Sequence, residues 1–207
     1  MQQLYVFGIG SLITESGRAR TVAINQFFPA QLYRFERGWN DPVQELKMTG
    51  LGAAIAKSKK AYINGVLFPV SAEELRAFDE REGGMEKLSI FTGKFRVPNE
   101  EDVKPGSVRV YGPEIRRLPT KELPIVQSYV DVILHGILED FGKKYGERYA
   151  LEFAKEFVKT TNGWDFPWKN DRSNPAYKGH TTLTPAEEQK IDSILEEMVR
   201  NAFLQRK

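Results

Sequence analysis

Residues 4–13 read Leu4-Tyr5-Val6-Phe7-Gly8-Ile9-Gly10-Ser11-Leu12-Ile13, and the reading of the fold starts there. An apolar run with the β-forming residues Tyr5, Val6 and Phe7 passes directly into a glycine-serine turn, so a buried strand ends in exposed backbone amides. Such a turn can hold an anion or a developing oxyanion. A plain tight turn would leave the same pattern, because strands commonly end at glycine. The dinucleotide fingerprint fails, since Gly8-Ile9-Gly10 is followed by Ile13 where the third glycine would stand.

A second segment, Phe78-Asp79-Glu80-Arg81-Glu82-Gly83-Gly84, narrows the choice. Ser71 and Glu74 form a capping box, which starts a helix at Ala72, and the two glycines end it after Glu82. Leu75, Phe78 and Glu82 fall at i, i+3 and i+7 on one stripe, whereas Glu73, Glu80 and Arg81 point elsewhere. Glu82 therefore faces inward at the negative end of the helix dipole. Desolvation and dipole both raise a carboxyl pKa there, which is how a general base is made. The competing reading is a buried glutamate held in an ion pair by Arg76, Arg81 or a strand arginine.

Composition limits what these segments can mean. With 207 residues, 41% apolar and 12% aromatic, the chain can bury a full core as one domain. Thirty basic and 28 acidic residues are interspersed, with a single dense basic run at Lys57, Lys59 and Lys60, a balance that argues against nucleic acid as a partner. No apolar stretch is long enough to span a bilayer, and Met1 lies two residues from the first strand, which leaves no room for a signal peptide; a cytoplasmic location is expected. The absence of cysteine removes disulfides and thiolate chemistry, and His135 and His180 are the two imidazoles. Neither a metal nor a cofactor is expected.

The first two thirds of the chain read as strands around one helix. Candidate strands are Leu4–Phe7, Arg20–Ile24, Ala30–Phe35, Gly52–Ala56, Ala61–Phe68, Leu88–Arg96 and Ser107–Tyr111. Everything after Leu123 reads as helix: an apolar segment from Pro124 to about Phe141, a second near Glu147–Thr160 beyond Gly142 and Gly146, and a last one opened by the capping box Thr184-Pro185-Ala186-Glu187. In the last helix Ile191, Ile194, Leu195, Met198, Ala202 and Phe203 form one stripe, which predicts packing against the body. The pattern predicts an α+β fold, a curved mixed sheet or small barrel with flanking helices, in a single domain spanning 1–207.

FGIGSLI, then NGVLFPVSAEEL, then FDEREGG resemble, in order and spacing, the gamma-glutamylcyclotransferase-like superfamily, including its ChaC and plant and bacterial branches. Those proteins carry an F-x-Y-G-S-L/N turn after the first strand, a G-x-[VL]-[FY] strand leading into a helix, and an LDxREG-type segment whose glutamate is catalytic. IVQSYVDVILHG resembles their following helix, so the likeness covers roughly residues 1–141, with 142–207 a helical C-terminal extension. The resemblance implies a small mixed β-barrel core and cofactor-free release of 5-oxoproline from a gamma-glutamyl amide, with Glu82 as general acid and base. It places a small-molecule gamma-glutamyl substrate against Ile9, Gly10, Ser11, Leu12, Met85 and Tyr129, the backbone amides of Gly10, Ser11 and Leu12 holding its α-carboxylate or the oxyanion. Ile9 stands where the family turn has tyrosine, and Gly84-Met85-Glu86 where an aromatic often follows; both changes predict a more apolar site.

Other segments carry less. His135, within the most apolar helix, reads as a core histidine and His180 as a loop residue. The aromatic stretch Gly163–Tyr177 reads as a structural flap, or else a substrate lid using Trp164, Trp168, Asn170 and Arg172. Arg37 and Trp39 are further candidates whose strand could reach the barrel mouth. Two functional classes remain: a cyclotransferase-like enzyme, or a non-catalytic small-molecule-binding or scaffold protein on the same fold.

Overall fold

The computed structural model describes residues 2–98, 100–180 and 182–206. The opening stretch forms β1 (Gln3–Gly8), followed by α1 (Glu15–Ala19), β2 (Phe28–Tyr33), β3 (Phe35–Val43), β4 (Met48–Ile55), β5 (Tyr62–Val70), α2 (Ala72–Arg81), β6 (Met85–Phe91), β7 (Phe95–Arg96) and β8 (Gly106–Pro113). Then come the short β9 (Ile125–Val126), α3 (Gln127–Gly136), a π-helical turn at Ile137–Phe141, α4 (Gly142–Tyr145), α5 (Glu147–Lys159), β10 (Thr161–Asn162), β11 (Trp168–Lys169) and α6 (Pro185–Gln205).

Six strands make one mixed sheet in the order β6-β8-β1-β5-β2-β7, in which β1 runs parallel to β8 and the other pairs are antiparallel. β6 and β7 lie on opposite edges yet are separated in the chain by the single turn Thr92–Lys94. Four peptide steps reach at most about 14 Å, so the two edges must approach each other and the sheet curls into a half-barrel. Hydrogen bonding stops at those edges. A second sheet, β10-β3-β4, packs its hairpin against β8.

The two-residue period of the strands divides the core. Tyr5, Phe7, Ile63 and Leu67 join Leu32, Val108 and Val110 in a cluster drawn from strands and their ends. Val6, Val66, Phe68 and Val70 point the other way, into a larger cluster with Phe78 of α2 and the apolar faces of α3, α5 and α6. The C-terminal helices belong to that larger cluster, with α5 on β5 and α6 across α3 and α5. Both predicted capping boxes form: Ser71 Oγ accepts from the Glu74 amide and Thr184 Oγ1 from the Glu187 amide, with each glutamate returning to the cap amide.

Four predicted elements differ. Arg20–Ile24 is not a strand: Thr14 caps the short α1 by accepting from the Gly17 amide, and the amides of Thr21 and Val22 bond back to the Arg18 carbonyl. Ala30–Phe35 is broken at Arg34, which takes a left-handed φ of 65° and turns the chain from β2 into β3. Leu88–Arg96 is split by the crossing between sheet edges described above. Pro124–Val126 does not open the helix, because the Pro124 carbonyl accepts from Thr49 and the Ile125 amide donates to Pro167, committing both to sheet-like pairing. Helix instead continues through Gly142 and stops at Gly146, whose φ of 92° favours glycine.

Candidate active site

The end of β1, the C-terminal end of α2, the β3–β4 hairpin and α3 enclose a cavity of about 320 Å³. Glu82, Ile9, Gly10, Ser11, Leu12, Met85 and Tyr129 all line it, so segments far apart in sequence converge on one space. A larger cavity of about 510 Å³ lies at Pro124, Trp164, Phe166 and Trp168; its acidic neighbour Asp165 is exposed, whereas Glu82 and Asp41, both removed from solvent in large part, line the smaller one.

Glu82 caps the C-terminus of α2, its amide donating to the Phe78 carbonyl at 3.0 Å and its carbonyl accepting from Met85 at 2.9 Å. That tight turn brings the first residue of β6 beside the carboxylate. The Glu82 side chain is 15% exposed, and burial pushes its carboxyl pKa up, opposed by Arg81 and reinforced by Asp41. Arg81 does not point away from the site. Its long side chain folds back so that Nε lies 3.2 Å from Glu82 Oε1, while Nη2 donates to Ser11 Oγ at 3.2 Å and Nη1 to the Gly17 carbonyl and Thr21 Oγ1. The helical stripe locates a Cα but not the end of a flexible arginine.

Ser11–Ile13 form one 3₁₀ turn, closed by Ile13 N–H to the Gly10 carbonyl at 2.9 Å. Arg18, wholly buried, donates to the carbonyls of Leu12, Ile13 and Ile24 and fixes the back of the turn. Tyr129 lies against the front, its hydroxyl beside Gly10. A Cβ at Gly10 would sit 2.6 Å from that hydroxyl, so glycine is required here by Tyr129. Burial pushes the Tyr129 phenol up, which keeps it neutral and leaves it a proton to donate.

The site is more polar than Ile9 and Met85 suggest. Asp41, Tyr111 and Tyr177 also line the cavity, and sequence reasoning missed all three. Tyr111 Oη donates to Asp79 Oδ1 at 3.0 Å, tying β8 to α2. The Tyr177 ring centroid lies 4.7 Å from that of Tyr129, and its hydroxyl accepts from Arg20. Asp41 follows a register shift in β3, and burial raises its carboxyl to about 6. Asn40-Asp41-Pro42 reads as a turn in sequence, which hid a strand residue aimed at a cavity.

The remaining candidates lie outside the cavity. Trp164 and Trp168 are buried on each other, Trp164 also against Trp39, Arg172 pairs with Asp131 and Asp192, and Asn170 is exposed; of the Gly163–Tyr177 segment, Tyr177 alone lines the cavity. Arg37 is fully buried over the Phe157 ring, donating to Asn64, Thr160, Thr161 and the Phe157 carbonyl. Trp39 packs edge-on behind Tyr129. His135 is half-buried with Nδ1 3.8 Å from Glu187, and His180 is exposed; Thr181 of the same turn is outside the described residues.

Solved structures share this arrangement of elements. A gamma-glutamyl cyclotransferase aligns with a TM-score of 0.54 at 16% identity, over 93% of this chain and 99% of its own. An uncharacterized protein from Homo sapiens aligns with a TM-score of 0.51 at 15% identity, over 92% of this chain and 99% of its own. No family model matches the chain, and no curated protein matches it. The chain has the gamma-glutamylcyclotransferase-like fold.

Proposed function

We propose that the protein is a cofactor-free intramolecular acyltransferase that releases 5-oxoproline from a gamma-glutamyl amide. The observation that carries this reading is Glu82, a largely buried carboxylate with its pKa raised, lining a small cavity together with the Gly10–Leu12 turn and Tyr129. Glu82 takes a proton from the substrate α-ammonium, and the freed amine attacks its own γ-carbonyl carbon. A ring C–N bond forms and the bond to the departing amine breaks. Glu82 delivers the proton to that nitrogen, and a second proton passes the same way as the ring nitrogen becomes a lactam N–H. The neutral Tyr129 hydroxyl supplies a donor for the developing oxyanion. Nucleophile and electrophile belong to one molecule, so enclosure of the folded conformer provides much of the acceleration.

A second reading, a ligand-binding protein without turnover, draws on the 3.2 Å Arg81–Glu82 contact, which would hold the carboxylate in a structural pair. Incubation with gamma-glutamyl amino acids, gamma-glutamyl amines and glutathione, followed by mass spectrometry for 5-oxoproline, separates the two. Release from any of them supports turnover. Binding without release supports the second reading.

A further inference from the structure

Two carboxylates line the cavity, and the protein treats them differently. Glu82 is paired with Arg81, and the donors of Arg81 are divided among Glu82, Ser11, Gly17 and Thr21. The Asp41 side chain, by contrast, makes no hydrogen bond or ion pair with any described residue. A half-buried carboxylate without a cation is costly, and one facing a cavity can recover that cost from a cation carried by the ligand.

Its local structure serves that purpose. The register of the β3–β4 hairpin slips between Trp39 and Asp41, leaving Asn40 as an extra residue, and such bulges re-aim the side chain that follows. Across the hairpin stands Gly50, where a Cβ would lie 3.4 Å from Asp41 Oδ2, so the absence of a side chain leaves the carboxylate clear. Among the residues lining the cavity the one cation is Arg81, whose donors go to Glu82, Ser11, Gly17 and Thr21; the others near Asp41 include the hydroxyls of Tyr111, Tyr129 and Tyr177 and the apolar Leu46, Met48 and Leu51.

We propose that Asp41 is the cation-binding residue of this cavity and holds the α-ammonium of the substrate, leaving Glu82 to move the proton. The proposal rests on the reading of the cavity as a gamma-glutamyl site. It divides the work between two carboxylates: Asp41 selects ligands with a free amine, and Glu82 acts on the amine so placed. A ligand whose amine is acylated carries no cation and loses the contact.

The test uses gamma-glutamyl-alanine for turnover, and L-glutamine with N-acetyl-L-glutamine for binding by calorimetry. Asp41→Asn should raise KM about 10- to 100-fold with kcat within a few-fold, the loss expected for a hydrogen bond between charged groups. Wild-type protein should bind L-glutamine at least about tenfold more tightly than its N-acetyl form, a comparison that needs no variant to fold. A fall in kcat with KM unchanged would make Asp41 a proton-transfer group, and equal affinity for the two glutamines would leave no ammonium site; either overturns the proposal. If no gamma-glutamyl compound is turned over but L-glutamine binding is lost in Asp41→Asn, the enzymatic reading fails while the role of Asp41 stands. If turnover persists in Asp41→Asn with KM unchanged, Asp41 fails and the enzymatic reading stands.

Discussion

Replacing Asp41 by Asn should stabilise the protein at neutral pH and do little for it in acid. Burial holds the Asp41 carboxyl at about 6 instead of 3.8. At ~1.4 kcal/mol per tenfold change in the proton equilibrium, ionising it in the fold costs up to about 3 kcal/mol, and contact with solvent through the cavity trims this to about 2 kcal/mol. Because the folded value lies above the unfolded one, protonation favours the fold. The cost is therefore absent below 3.8, grows as pH rises through about 6, and is fully present above that. Asn keeps the volume and carries no charge, so the variant escapes the cost. At ~2–4 °C per kcal/mol for a chain of this size, its Tm at pH 7.5 should exceed that of the parent by about 4–8 °C. At pH 4 the difference should shrink to about 1–2 °C, since the unfolded carboxyl is only part ionised there. Scanning calorimetry of both proteins across pH 4–8, without ligand, makes the comparison. A difference that does not change with pH, or a less stable variant at pH 7.5, would mean that Asp41 is solvated or paired, and the argument that it awaits a cation would fail.

Glu82→Gln preserves volume but cannot carry a proton, so 5-oxoproline release should fall by about 10²-fold or more with the melting curve little changed. Because its pKa is raised and its ionised form is required, the acid limb of the parent rate should lie above the ordinary glutamate value; a limb centred on that value would show that Glu82 is not the base. Gly10→Ala places a methyl group 2.6 Å from the Tyr129 hydroxyl and should destabilise by about 1–3 kcal/mol; combining it with Tyr129→Phe should recover most of that, and simple additivity in urea titrations would refute the close approach. Arg37→Ala strips partners from Asn64, Thr160 and Thr161 in a buried site and should cost about 3 kcal/mol or more of stability by the same titration, while leaving KM for a gamma-glutamyl substrate unchanged in whatever fraction remains folded.

The parts of the fold legible in the sequence are those set within a few residues. Ser71 with Glu74 and Thr184 with Glu187 announce helix starts, since a capping box closes over three positions. Tyr5-Val6-Phe7 announces a strand buried on both faces, as Tyr5 and Phe7 enter one core cluster and Val6 the other. Leu75, Phe78 and Glu82 place the carboxylate on the inner side of α2 by periodicity. Of what failed, Arg20–Ile24 was settled locally by the α1 cap and the Arg18 carbonyl, and the rest at a distance. Arg34 adopts φ 65° between two strands that pair with different partners, and Ile125–Val126 is held extended beside Trp168–Lys169, more than forty residues away, inside a segment whose composition favours helix.

The same division runs through the site. Glu82 and the Gly10–Leu12 turn were legible because each lies at the end of an element whose boundary is written locally, and the family likeness supplied Ile9, Met85 and Tyr129 on the same ground. Asp41 was hidden because Asn40-Asp41-Pro42 has the composition of a turn, and only the register slip against β4 makes it a strand residue aimed at the cavity. Arg81 was misjudged because helical phase sets where a Cα stands, while three hydrogen-bond acceptors at Ser11, Gly17 and Thr21 and the adjoining Glu82 carboxylate set where a guanidinium ends. Tyr111 and Tyr177 join the cavity because β8 pairs with β1 and because the Gly163–Tyr177 segment returns over α3. By itself, then, the sequence determined which residues stand at the ends of its elements, since caps, periodicity and turns act over one or two helical turns. Which groups share the cavity, and which carboxylate is left without a cation, only the tertiary structure decided, since desolvation and charge pairing depend on neighbours that the chain brings together only after it has folded.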